Sequence, residues 1–264
     1  MATLQQLGVR ACVALSLSFI SAQPAFAQQR AVLPFGAGER LEYDARAGRL
    51  LSAHADMWVE GPVQVNGSAA LLLRFRVATR VGPLTVSDDS WSWIDPTRMA
   101  TLRFEKRERH LLARRTEEVD VDARTGAWRD ADGRTGIATS SAPLDELSFI
   151  YALRAMPLPA DSSVSVDRHF DAERNPTTLR VVGHDTVSTA AGTFATRAVE
   201  MRVRDARHYR GEGVIRIWIS EDACARPVRI VSTIPDAGTV ELALRRASPE
   251  RASCGGIAIA DSSR

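Results

Sequence analysis

The chain has 264 residues, 45% hydrophobic and 25% charged, with 34 Lys+Arg against 32 Asp+Glu and a formal net charge of +2. These are globular proportions with room for one or two domains, and the near balance of charge removes the electrostatic case for a nucleic-acid partner. Lys106 is the only lysine among the 34 basic residues, a ratio read as genomic codon bias rather than as a site.

The amino terminus has the order of a secretory signal peptide. Residues 1–10 carry a single charged side chain, Arg10, and are followed by the apolar run Ala11 to Ile20 and the small-x-small triplet Ala25-Phe26-Ala27. Ten apolar residues are half of the roughly 20 that a spanning helix needs, and no later stretch reaches that length, so the mature chain is expected to have no transmembrane span. Cleavage after Ala27 leaves a chain beginning at Gln28, placed in the periplasm or secreted, with 28–37 as an N-terminal segment. Cys12 departs with the leader. Cys224 and Cys254 remain in a compartment where disulfides persist, and a bond between them is the favoured reading; two independent thiols are the alternative. Such a bond closes a loop of about 30 residues, for which chain entropy gives roughly 3.5 kcal/mol. Neither cysteine has a second ligand at metal spacing, and no metal site or cofactor is expected.

The body of the chain reads as strands. Alternating apolar and polar residues, bounded by Gly, Pro, Asp or Asn, predict strands at 41–46, 53–60, 71–77, 84–94, 98–106, 111–121, 164–170 and 178–186. The carboxyl third adds 194–204, 214–220, 227–233 and 239–246. Short connections imply an antiparallel meander, since parallel pairs need long crossovers. One segment differs: Asp145 to Met156 predicts a helix, apolar over most of its circumference, with acidic residues at its start and Pro157 as its stop. A helix with so little polar face is expected to be buried against a concave sheet. The expected fold is therefore mainly β, a large curved antiparallel sheet of open-barrel or sandwich form packed on one buried helix. About six strands precede the helix and about six follow it, as two sheets or as one bent sheet. A single β-rich domain over 38–247 and a polar tail over 248–264 complete the organisation.

Few residues suggest chemistry. His54, His110, His169, His184 and His208 each stand alone, without metal-ligand spacing. Asp120-Val121-Asp122 resembles the start of a calcium loop, but Arg124 occupies the third ligand position. Asp130-Ala131-Asp132-Gly133 reads as a hairpin turn. Asp88-Asp89 and Glu117-Glu118 are neighbours on strands and so point to opposite faces, and no nucleophile motif is present, which argues against an enzyme. Trp91 and Trp93 share one face of a strand. That face is either core packing or, with the helix and its Tyr151, the lining of a cavity for a hydrophobic ligand. Arg74, Arg76, Arg103, Arg197, Arg216 and Arg229 are assigned to a solvated outer surface.

Several stretches together carry a family resemblance: Gly38-Glu39-Arg40-Leu41-Glu42-Tyr43, the helix from Leu147 through Pro157-Leu158, Gly192-Thr193-Phe194, and Ile217-Trp218-Ile219-Ser220 followed by Arg226-Pro227-Val228-Arg229-Ile230. With these the chain resembles domain of unknown function 3108 (DUF3108), a bacterial envelope family. The resemblance implies an exported β-rich protein and supplies no catalytic residues. In architecture only, the expected fold is similar to periplasmic lipoprotein carriers, whose curved sheet surrounds a greasy cavity. Two functions follow as expectations: a protein that binds a lipid or other hydrophobic ligand, or a structural or assembly factor acting through an envelope protein partner.

Overall fold

Alternation with period two places one face of each strand inward, and short polar turns bring each strand back beside its predecessor. The computed structural model describes residues 33–249 except 49, 50, 83, 110–112, 123, 159, 161, 162, 208, 236 and 237. The leader and its cleavage site, His110, His208, Cys254 and residues 250–264 lie outside the described residues.

The strands before the helix are β1 (Arg40–Ala47), β2 (Leu51–Val65), β3 (Ser68–Val81), β4 (Leu84–Asp95), β5 (Ala100–Arg109), β6 (Arg114–Val121), β7 (Ala127–Asp130) and β8 (Thr135–Ile137). The helix α1 (Glu146–Ala155) follows, then β9 (Ser163–Val166), β10 (Thr177–Thr189), β11 (Gly192–Val203), β12 (Gly213–Ser220), β13 (Pro227–Ile234) and β14 (Gly238–Ser248). All join one sheet in the order β8-β7-β6-β5-β4-β3-β2-β1-β14-β13-β12-β11-β10-β9. Of the two arrangements the sequence leaves open, the single bent sheet is the one observed. Its two halves meet where β1 pairs antiparallel with β14, Arg40 opposite Ser248 and Ala47 opposite Val240. The edges β8 and β9 are only 3 and 4 residues long, which limits the unpaired backbone they present. One apolar cluster draws on both halves and the helix, including Tyr43, Leu73, Phe104, Leu153, Ile217 and Leu244. Among the described residues no helix is long and apolar enough to cross a membrane.

The short hairpin β7–β8 turns at the predicted Asp130 to Gly133 segment. Trp128 lies across Gly136, where an added Cβ would stand 2.6 Å from the indole, and packs edge-on against Phe170 at 5.6 Å. Glycine is required there by this close approach.

The helix forms where predicted because both its ends are built. Asp145 accepts from the Leu147 and Ser148 N–H groups at 2.9 Å each, and Ser148 Oγ accepts from the Asp145 N–H at 2.8 Å, a reciprocal cap. Two hydroxyls also donate to the Asp145 carboxylate, Ser92 of β4 at 2.5 Å and Thr101 of β5 at 2.6 Å, so the cap pins the helix start to the sheet. Burial pushes this carboxyl above the usual range, and the hydrogen bonds from Ser92, Thr101 and Ser148 oppose that rise. Asp145→Ala leaves those donors without their acceptor. It is expected to cost about 2–3 kcal/mol in urea unfolding, with Asp145→Asn costing less because one acceptor oxygen remains.

The phase of β4 corrects the expectation for its tryptophans. Ser90 and Ser92 are the buried pair, 6% and 0% exposed, and Trp91 and Trp93 stand half-buried on the other face, outside the cavity lining, with Trp93 packed against a small apolar cluster of Val65, Ala70 and Leu102. The outer face holds them in an arginine–tryptophan row: Arg40 over Trp58 (5.4 Å), Arg74 over Trp58 (4.6 Å) and Trp91 (5.7 Å), and Arg107 over Trp91 (5.2 Å). Arg103 covers Trp93 at 5.8 Å. Each such contact contributes about 0.5–1 kcal/mol at an exposed site, so these aromatics find cover without entering the main cluster shared with the helix. Arg197 departs from its expected surface role in the other direction, donating to the Leu153 and Met156 carbonyls at the end of α1 (3.4 Å each).

Candidate functional site

A helix of ten residues is about 15 Å long, whereas β2 with its 15 residues extends about 50 Å, so α1 cannot fill the whole interior. At the end where β1 begins, Tyr43, Phe35, Tyr151 and Leu153 complete the packing. Towards the other end the strands carry small side chains instead, Ala45, Ala47 and Ala53, and a cavity of about 420 Å³ remains. Its walls are mainly apolar, with Met57, Phe75, Ile230 and Leu242 from the sheet and Leu147 and Ile150 from the helix. The cavity is half-open, and its rim includes Thr79, Val86 and Val240 near strand ends; Val240 is 38% exposed. The volume is in the range of small-molecule sites, roughly 300–1,000 Å³.

One wall is polar. Asp88 and Ser90 of β4, Lys106 of β5 and Glu146 of α1 face the same space. Lys106 Nζ lies 3.0 Å from a Glu108 oxygen and 3.7 Å from Asp88 Oδ2, and Ser90 Oγ donates to Asp88 Oδ1 at 3.4 Å. Arg174 donates to Glu146 at 2.6 Å and lies 3.5 Å from Asp205. Burial raises the Asp88 carboxyl, with Lys106 opposing. For Lys106 burial favours the neutral amine, but the carboxylates of Glu146, Asp88 and Glu108 outweigh it and hold the group above its ordinary range. Burial would likewise raise Glu146, and the cations Arg174 and Lys106 reverse this and hold it well below the usual range. Glu117 is raised, first by burial and then by the neighbouring Glu146. Lys106 is therefore an ammonium at neutral pH, suited to pairing and hydrogen bonding rather than to attack as an amine nucleophile.

Behind Glu146 lies His169, whose Nδ1 accepts the Asp171 N–H at 3.0 Å, which assigns the ring proton to Nε2. Burial, then Arg174, depress its pKa well below the ordinary value, so it is neutral in the fold. A depressed base contributes stability that is fully present above its unfolded value of about 6.5 and is lost as pH falls from there through the folded value. The urea midpoint is expected to drop across that window, and His169→Gln should flatten that part of the drop; an unchanged slope would exclude His169 as its source.

The other sequence candidates are dispersed. Trp91 and Trp93 are on the outer face, and Tyr151 is in the packed end, 4.9 Å from Phe35, outside the cavity lining. Cys224 is buried beside the β12–β13 turn, and its expected pairing with Cys254 falls outside the described residues. His54 pairs with Asp44 at 3.3 Å and His184 with Glu221 at 2.5 Å, both exposed. Asp122 accepts the Arg124 and Thr125 N–H groups, which lower its pKa and make the segment a turn. Among the described residues no group of three or more His, Cys, Asp or Glu could hold a metal ion. The residues that sequence reasoning missed are Asp88, Lys106 and Glu146. A usable signal existed: the chain's sole lysine follows the buried Phe104 by two residues, on the inward phase of β5.

The sequence profile of the family described as Protein of unknown function (DUF3108) matches residues 42–245. No curated protein matches the chain. Among solved structures, the beta-barrel-like protein of domain of unknown function DUF1849 from Brucella abortus is similar with a TM-score of 0.53 and 12% identity, covering 83% of this chain and 98% of that one. A candidate lipoprotein of Parabacteroides distasonis has a TM-score of 0.36 and 10% identity, with 83% of this chain and 100% of that one covered. The Brucella structure shares the barrel-like fold.

Proposed function

We propose, for a chain that belongs to the DUF3108 family, that it is an exported binding protein holding an apolar or lipid-like molecule in the cavity between sheet and helix. The half-open apolar space of about 420 Å³ carries this reading. Apolar walls left in water lose about 25 cal/mol per Å² that an apolar occupant would recover. Native mass spectrometry of the protein from its own envelope is expected to give a mass above that of the chain, with the excess removed by organic extraction. A bare mass together with an empty extract would remove the reading.

Export rests on the leader chemistry of residues 1–27, and the amino-terminal sequence of the exported protein should begin at Gln28. The same compartment supports the proposed Cys224–Cys254 bond. Reduction is expected to raise the mass by two hydrogens and to expose two thiols to alkylation; thiols already free in the unreduced protein would exclude the bond.

A second reading is an assembly factor acting through a protein partner. It is favoured by Ile137, 71% exposed on the open edge strand β8. It predicts that a crosslinker placed at residue 137 captures an envelope protein, while the cavity yields no extractable lipid.

A further inference from the structure

The polar wall narrows the chemistry of the occupant, and the argument rests on the cavity reading above. We infer that the cavity takes an amphiphile with a cationic, hydrogen-bond-donating head, such as a primary ammonium, set against Asp88 and Glu146 with its tail along the apolar wall.

Three observations carry this. First, acceptors remain open towards the cavity. Lys106 approaches Asp88 Oδ2 only to 3.7 Å, an ion-pair distance too long for a hydrogen bond, and Arg174 engages Glu146 through Oε1. The Asp88 and Glu146 side chains are still 30% and 32% exposed. Second, the sign of the wall disfavours an anion. On that wall Asp88 and Glu146 stand beside Lys106, which Glu108 already takes at 3.0 Å, and the other cation among the lining residues, Arg46, is an exposed residue of β1. Third, lysine is used here in a chain that otherwise uses arginine at every basic position. A guanidinium between Asp88 and Glu108, which are directly opposite in register, could fork to both and satisfy them. The compact ammonium leaves acceptor capacity vacant.

The test uses displacement of a neutral fluorescent probe, N-phenyl-1-naphthylamine, from the full chain at neutral pH by dodecylammonium, dodecanol and dodecanoate. Dodecylammonium is expected to displace the probe at roughly tenfold lower concentration than dodecanoate. Asp88→Asn should bring that ratio towards one, and Lys106→Met should widen it, so the two variants move in opposite directions. In protein labelled with [15N]lysine, the single amide signal, that of Lys106, should shift as the ammonium is added. Equal or stronger displacement by dodecanoate, or a ratio that neither variant changes, overturns the head assignment and leaves the cavity reading standing. Failure of the probe and of all three chains to bind overturns the cavity reading itself, and with it this inference.

Discussion

Replacing Arg154 by methionine is expected to lower the stability of the fold by about 3–5 kcal/mol, seen as a large fall in the urea midpoint with an unchanged slope. Arg154 is buried near the end of α1 and binds Glu39 through both terminal nitrogens, at 2.6 and 2.7 Å. It also donates to the carbonyls of Ala225 (3.0 Å), Cys224 (2.9 Å) and Pro34 (3.2 Å), with its guanidinium over the rings of Phe35 (5.0 Å) and Tyr151 (5.3 Å). Methionine fills most of the volume but leaves a carboxylate, 4% exposed, without its counter-charge. Carboxylate desolvation is thus the main cost, which makes the double variant Arg154→Met with Glu39→Leu informative. It should recover part of the loss, and the remainder reports the three abandoned carbonyls. A single variant that unfolds at the parent's urea concentration would show that the pair contributes nothing net.

Ala53→Trp is expected to eliminate probe and lipid uptake while leaving the thermal midpoint within a few degrees of the parent. Ala53 faces the cavity from β2, directly opposite Ala45 of β1. An indole at this position occupies the space where the strands now carry small side chains. Filling a void restores dispersion contacts, and the half-open rim gives the ring room to settle without the 1–3 kcal/mol that overpacking typically costs. Uptake that survives this substitution would place the ligand elsewhere on the protein. Loss of uptake accompanied by unfolding is separated from blockage by the melting curve.

The strands were legible because alternation reports which face is wet, and the helix because an acidic start, an apolar circumference and Pro157 act within a dozen residues. The β4 phase was not legible from its own residues. Its two faces offered Trp91 and Trp93 against Ser90, Ser92 and Ile94, and side-chain bulk favoured the tryptophans as the inner set. The deciding contacts come from other strands and from the helix: Arg74, Arg103 and Arg107 cover the indoles, and Asp145 takes the Ser92 hydroxyl. The polar wall was hidden for the same reason. Asp88 and Lys106 meet through the pairing of β4 with β5, and Glu146 joins them only because α1 lies against the sheet. The family resemblance was legible in the hairpin from Ile217 to Ile230, where the structure places β12 and β13.

The pairing of β1 with β14 has a consequence for the chain as a polymer. It joins residues about as far apart in sequence as the domain allows, with Arg40 opposite Ser248, and so it carries the largest loop-closure entropy of any strand pair. Every other neighbour in the sheet is also a neighbour in sequence. A circular permutant that joined the segment after β14 to the one before β1 and opened between α1 and β9 would read β9 to β14 and then β1 to β8. In that order each strand pairs only with the one just before it or just after it. The native connectivity is thus one cut away from an uninterrupted meander, and the long-range contact measures where the chain was opened rather than anything the sheet requires.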